Sequence, residues 1–202
     1  MQPIHTPLSK ELLLKELRDE YYVRPANKGG NHLYIINGNE CPETMKEVGR
    51  LRELTFRAAG GGTGKELDID KYDVAEKPYM QLIVWNKEDE EIVGGYRFRR
   101  CTSNDDELLA TEALFEFSDL FRTEFLPFTI ELGRSFVQPK YQPSSENRKG
   151  LFSLDNLWDG LGAIVVDNPD VKYFFGKVTM YPDFNPKACL LYTSPSPRDT
   201  RE

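Results

Sequence analysis

Phe128-Thr129-Ile130-Glu131-Leu132-Gly133-Arg134-Ser135-Phe136-Val137 is the stretch on which the fold turns. Bounded by Pro127 and Pro139 and rich in apolar residues, it reads as a central β-strand. Two charges stand inside it. Burying Glu131 and Arg134 among Ile130, Leu132, Phe136 and Val137 costs several kcal/mol unless they are paired or used. Residues three apart on a regular strand point to opposite faces, so Gly133 is the expected site of a bulge. Such a bulge re-aims both side chains and leaves backbone groups unpaired. From spacing alone two readings stay open: a Glu-Arg brace across the sheet, or a functional pair.

Upstream of that strand, Tyr79–Trp85 and Glu91–Arg99 alternate like two strands and are joined by the charged turn Asn86-Lys87-Glu88-Asp89-Glu90, an antiparallel hairpin. Further back, His32–Ile36 reads as a strand closed by Asn37-Gly38. Pro42–Arg57 then carries Met45, Val48, Leu51 and Leu54 at helical spacing. Ser9 is placed to cap a helix through about Tyr22, with Leu13, Leu14, Leu17 and Tyr21 on one stripe. Its polar face mixes acids and bases, so it is read as packing on the domain rather than lying on a membrane.

Downstream, a polar loop runs to Gly150. Ser153 then opens a helix with Leu154, Leu157, Trp158, Leu161, Ile164 and Val165 on one face. Val171–Met180 supplies another strand, and this β-α-β passage implies a parallel pair. Asn185–Tyr192 starts like one more helix, which Thr193-Ser194-Pro195-Ser196-Pro197 cannot continue. The segment after Ala188 is expected to be disordered or foreign to the protein, and no function attaches to it. The expected organisation is a helical extension over 1–27, a catalytic domain over 28–188 and a tail over 189–202.

The chain has 202 residues, 39% of them apolar and 29% charged, enough for one domain with a sizeable core. A formal net charge of -7 disfavours generic binding to nucleic acid or anionic lipid. Cys41, Cys101 and Cys189 form no C-x-x-C pair, which fits neither a disulfide framework nor a zinc ribbon. No apolar run reaches the ~20 residues that span a bilayer, and a cytoplasmic protein is expected, with peripheral contact to the membrane's inner face left open.

Three chemistries are weighed and set aside. Gly60-Gly61-Gly62-Thr63-Gly64-Lys65 fails the phosphate-loop pattern at Ala59 and Glu66 and follows a helix instead of a strand, so it reads as a flexible loop or lid. Cysteine catalysis lacks a base, since His5 sits in a terminus expected to be mobile and His32 sits in a strand. A metal site fails on the same shortage of ligands. Carboxylates and arginines remain: Arg52 and Phe56 one helical turn apart, Asp70-Lys71-Tyr72-Asp73 after the glycines, Arg97 in the second hairpin strand, and Glu131 with Arg134.

The order Arg52-x-x-x-Phe56, Asp70-x-x-Asp73, Arg97, Glu131-x-x-Arg134 is similar to the signature of acyl-homoserine-lactone synthases. Glu131-Leu132-Gly133-Arg134-Ser135-Phe136-Val137-x-Pro139-x-Tyr141 resembles more closely the ornithine and glycine-lipid N-acyltransferases of the "hemolysin-like" group within the GNAT superfold. The resemblance runs over roughly His32 to Lys187. It implies an α/β GNAT-like fold, with a mostly antiparallel central sheet flanked by helices and a C-terminal side that ends before the fold's last strands. It also implies transfer of a fatty acyl group, often 3-hydroxylated, from acyl carrier protein to the α-amino group of ornithine or glycine. No tightly bound cofactor is expected.

Chemistry read from the residues is compatible. Glu131 can take the ammonium proton directly or through water, with Arg134 beside it, and backbone N–H groups at the bulge can hold the oxyanion. Arg52, Phe56, Asp70, Asp73 and Arg97 are assigned to the substrate. Family enzymes that use coenzyme A carry an R-x-x-G-x-G/A loop. Here Arg148-Lys149-Gly150 keeps one glycine, which favours a carrier-protein donor held at the helix start. Arg97, Arg99, Arg100, Arg148 and Lys149 read either as the edge that receives the acidic carrier or as an ordinary solvated basic edge. A homoserine-lactone-type signal synthase and a non-catalytic acyl-binding domain are the alternatives.

Overall fold

The computed structural model describes residues 1–101, 109–142 and 148–178, with the side chains of Arg148 and Lys149 outside that description. One six-stranded sheet runs in chain order: β1 (Tyr22–Pro25), β2 (His32–Asn37), β3 (Met80–Asn86), β4 (Glu91–Arg100), β5 (Thr129–Val137) and β6 (Tyr173–Gly176). Neighbours from β1 to β5 pair antiparallel, and β6 pairs parallel with β5. The mixed, mostly antiparallel sheet expected from the sequence is therefore present. The decisive strand is not at its centre, however; β5 lies fifth of six.

Among the described residues, three α-helices cover the two faces. α1 (Lys10–Glu16) and α2 (Pro42–Ala58) lie on one, α3 (Ser153–Asp167) on the other. On the first face Leu13, Leu17, Met45, Val48 and Leu51 pack against Ile36, Ile83, Trp85 and Phe136. On the second, Leu161 and Ile164 of α3 meet Leu82, Phe98 and Ile130. Both sides of β3 are covered, so Gln81 through Asn86 are all buried, and the strand tolerates almost no polar residue without a partner.

Several boundaries differ from the sequence reading. The first helix stops at Glu16, and Tyr22–Pro25 becomes an edge strand, so the N-terminal segment also builds the sheet. Ser9 and Ser153 make no side-chain cap; Ser153 lies inside α3 and its hydroxyl donates to the Tyr141 carbonyl at 3.0 Å. α3 turns Leu157, Leu161 and Ile164 inward and leaves Leu154, Trp158 and Val165 exposed, Trp158 at 68%. The expected helix at Asn185–Tyr192, the end of the strand read to Met180, and Cys189 lie outside the described residues. Among the described residues, no helix is long and apolar enough to cross a membrane.

Candidate active site

Where β4 pairs with β5 the register slips: Gly95 faces Phe136, but Arg97 faces Gly133. One residue on β4 thus opposes two on β5, which is the bulge expected near Gly133. Its strain sits elsewhere. Arg134 takes the left-handed conformation, φ 49°, while Gly133 is not among the positive-φ residues. The turn throws the Arg134 guanidinium toward the segment after the glycine loop, where Nη2 lies 3.3 Å from both Asp68 and Asp70.

That contact is the outer edge of a lattice of alternating charges. Arg52 of α2, fully buried, donates to Asp73 at 3.1 Å and to the Gln81 side-chain oxygen. Arg97 donates through Nη1 to Asp70 at 2.7 Å and to Asp73 at 3.2 Å. Gln81 closes the inner ring by donating to Asp73 at 3.2 Å. Three arginines and three aspartates balance. Burial alone would raise the Asp70 carboxyl, but the hydrogen bond and charge of Arg97 outweigh it and hold the group below its ordinary value. Burial pushes Asp68 up instead, against the pull of Arg134 and Arg52.

Glu131 is buried and belongs to a different network. The Tyr79 hydroxyl donates to one carboxylate oxygen and the Thr111 N–H donates to the other at 2.8 Å. The Tyr79 oxygen accepts the Ala110 N–H at 2.8 Å. Burial first, and Glu131 second, push the Tyr79 phenol far above its ordinary value, so it stays a donor. Glu131 and Arg134 do not bond one another, which removes the brace as the reason for their place in the strand.

Both nevertheless line one cleft of about 720 Å³. Phe56, Asp70, Arg97, Glu131 and Arg134 are on its wall, as the sequence suggested, with Gly61, Gly62 and Thr63 forming another side. Arg52 and Asp73 lie behind it, Asp73 accepting from both Arg52 and Arg97. Tyr72, Tyr79 and Thr111 also line it, and sequence reasoning passed over all three. Aromatic residues beside an apolar strand read as core, and nothing local indicates that Tyr79 reaches a carboxylate in another strand.

The glycine loop borders the cleft but is not free to act as a lid. Glu53, at 0% exposure on α2, accepts the Thr63 N–H at 2.8 Å, the Thr63 hydroxyl at 2.7 Å and the Gly64 N–H at 2.9 Å, and it pairs with Arg57 at 2.7 Å. Burial would raise its carboxyl; these donors hold it at about 2. Gly62 has φ 89°, and a Cβ there would lie 3.1 Å from Glu53 Oε1. The N-terminus is tied to the same loop by the Gln2 N–H on the Gly64 carbonyl at 2.8 Å and the His5 N–H on the Glu66 carbonyl at 3.1 Å.

The expected basic docking edge changes too. Arg97 is 4% exposed, on the wall of the cleft rather than on an outer surface where a protein would dock, and Arg100 pairs with Asp170. Arg99 lies over the Tyr79 ring, 5.0 Å from its centroid. The side chains of Arg148 and Lys149 are outside the described residues. Gly150 has a packing reason to be glycine, since a Cβ would lie 2.4 Å from the Tyr141 carbonyl oxygen. Cys41 and Cys101 are buried free thiols, each pushed up to about 11 by burial, and so are poor nucleophiles. Among the described residues, no group of three or more His, Cys, Asp or Glu is disposed to hold a metal ion.

Residues 51–148 match the family model described as an acetyltransferase (GNAT) domain. A glycine N(alpha)-acyltransferase of Phocaeicola vulgatus is 54% identical over 190 residues, covering 92% of this chain and 58% of the relative. One of Bacteroides thetaiotaomicron is 57% identical over 190 residues, covering 92% of this chain and 56% of the relative. The chain therefore spans a little over half the length of these relatives. No solved structure matches it.

Proposed function

We propose that the chain is a GNAT N-acyltransferase that transfers a fatty acyl group from a carrier-bound thioester to the α-amino group of glycine, as its likeness to the acetyltransferase (GNAT) domain and to two glycine N(alpha)-acyltransferases supports. The observation that carries the reading is the cleft over the β5 bulge, with the Glu131 carboxylate held on its wall by Tyr79 and Thr111. A carboxylate accepting two hydrogen bonds retains acceptor capacity for a third partner. An incoming ammonium supplies that partner and loses a proton to Glu131, directly or through a water.

The freed amine attacks the thioester carbonyl. A C–N bond forms, the carbonyl oxygen carries the negative charge, and backbone N–H groups at the bulge hold it. Collapse breaks the C–S bond; the second amine proton leaves with the sulfur as a thiol. Direct transfer needs no enzyme nucleophile.

Acyl carrier protein is the donor we favour, with coenzyme A as the other form of the same thioester. Gly150 supports this preference: the single glycine before α3 is packed against Tyr141 and offers no run of glycines to cradle a pyrophosphate. Glycine is favoured over ornithine because both relatives bear that name.

Given 3-hydroxyacyl carrier protein and a panel containing glycine, ornithine and S-adenosylmethionine, the full-length polypeptide is expected to yield N-acylglycine by mass spectrometry. Absence of any N-acyl product defeats the reading. Glu131→Gln is expected to lower transfer by about 10²–10⁴-fold with the fold retained, and unchanged transfer removes Glu131 as the base.

A further inference from the structure

Among the described residues, nothing requires Gly133 to be glycine. Its φ is not positive, and among the described residues a Cβ built on it would meet only Arg97 Nε, at 3.9 Å. Gly94 and Gly95 differ sharply: a Cβ would lie 2.4 Å from the Phe136 carbonyl oxygen at the first and 2.5 Å from the Leu82 carbonyl oxygen at the second. A glycine inside a strand weakens it, so a position where alanine fits calls for another cause. Gly133 lines the cleft, directly opposite Arg97 in the β4–β5 register.

Arg97 is the second half of the observation. Nη1 is committed to Asp70 and Asp73, but Nε is buried without a hydrogen-bond partner, and Nη2 takes none among the described residues. The hydroxyl of Thr111, a residue 1% exposed on the same cleft wall, is also buried without a partner. Unpaired donors at this depth are uncommon in a native protein.

We infer that the space left by the missing side chain of Gly133 seats the α-carboxylate of the acceptor amino acid, held by the Nε–Nη2 edge of Arg97. The inference rests on the acyltransferase reading and adds how the acceptor is chosen and oriented. A guanidinium edge presents two parallel N–H donors that match the two oxygens of a carboxylate. Glu131 lies two residues back on the same face of β5, about 7 Å along the strand. One carbon separates the carboxylate and ammonium of an α-amino acid. A molecule seated at Gly133 therefore points its ammonium toward Glu131.

Charge agrees with this pose. Arg52, Arg97 and Arg134 are balanced by Asp68, Asp70 and Asp73, and among the described residues the further charges on the cleft wall are Glu131 and Lys177, one of each sign. A zwitterion adds no net charge and meets each of its ends with the opposite sign. A simple anion lacks the cationic end that Glu131 would meet.

The test compares glycine with glycinamide, which keeps the amine and loses the carboxylate, in the full-length enzyme and in its Gly133→Ala and Gly133→Val variants. Wild type is expected to use glycinamide at least 100-fold less efficiently in kcat/KM. Gly133→Ala should keep or raise Tm while raising KM for glycine at least 10-fold, leaving KM for the acyl donor within 2-fold; Gly133→Val should raise the glycine KM further. Equal use of the two acceptors, an unchanged glycine KM in Gly133→Ala, or a fall in its Tm that marks the glycine as structural each overturns the seat while the acyltransferase reading stands. A wild type that acylates no amine overturns that reading and the seat with it.

Discussion

The two faces of the same three strands are built from opposite chemistry. On the α3 side, Leu82, Phe98 and Ile130 make an apolar core with Leu161 and Ile164. One residue along each strand, Gln81, Arg97 and Glu131 point the other way, toward the C-terminal half of α2, where Arg52 and Asp73 are fully buried. The apolar face needs only shape and volume, and apolar residues of similar size keep it. The ionised face needs every partner present, because a lone buried charge is far more costly than a missing methyl group. Adjacent positions in the sequence therefore differ greatly in what they tolerate.

Asp73→Ala is the severest way to break this contrast. It strips Arg52 and Arg97 of their shared carboxylate and is expected to cost about 3–5 kcal/mol in urea unfolding, enough to unfold many domains. A cost under about 1 kcal/mol would make the polar face no more demanding than the apolar one.

Acid is the next test. Glu53 stands at about 2 in the folded protein against an ordinary 4.5, so its contribution is fully present above pH 4.5 and is lost as pH falls through about 2. That loss should amount to about 2–3 kcal/mol and be missing from Glu53→Gln, as followed by Tm between pH 5 and 2. Identical acid profiles for the two proteins would remove the anchor from the glycine loop. The smallest expected effect is on the other face: Ile164→Val should cost about 0.5–1.5 kcal/mol and leave substrate KM unchanged in steady-state kinetics.

Elements with a local cause were legible in the sequence. The charged turn after Trp85 and the alternation around it give β3 and β4, and the spacing of Met45, Val48 and Leu51 gives α2. Tyr22–Pro25 escaped because four residues ending in proline carry no strand period, and their pairing with β2 is a property of the sheet. On α3 the apolar residues spread over more than one face, so periodicity alone chose Leu154 and Trp158 as wrongly as it chose Leu157 and Leu161 rightly.

The site follows the same division. Charges in an apolar strand announced Glu131 and Arg134, and Gly133 announced the irregularity between them. Which residue would take the left-handed conformation was not legible, nor was the function of Glu53, which reads as an ordinary helix-surface acid until the loop folds back on it. Tyr79 and Thr111 gain their meaning only from contacts with a residue distant in the chain.

The placement of the two tryptophans gives the molecule its own optical readout. Trp85, 3% exposed, is sealed in the core beneath α1 and α2, whereas Trp158 stands 68% exposed on the outer side of α3. Their emission should separate into a short-wavelength component that soluble quenchers do not reach and a long-wavelength one that they extinguish. Loosening of the helical cover over the first face will register in the former, and any surface that settles on α3 will register in the latter, without a label being added.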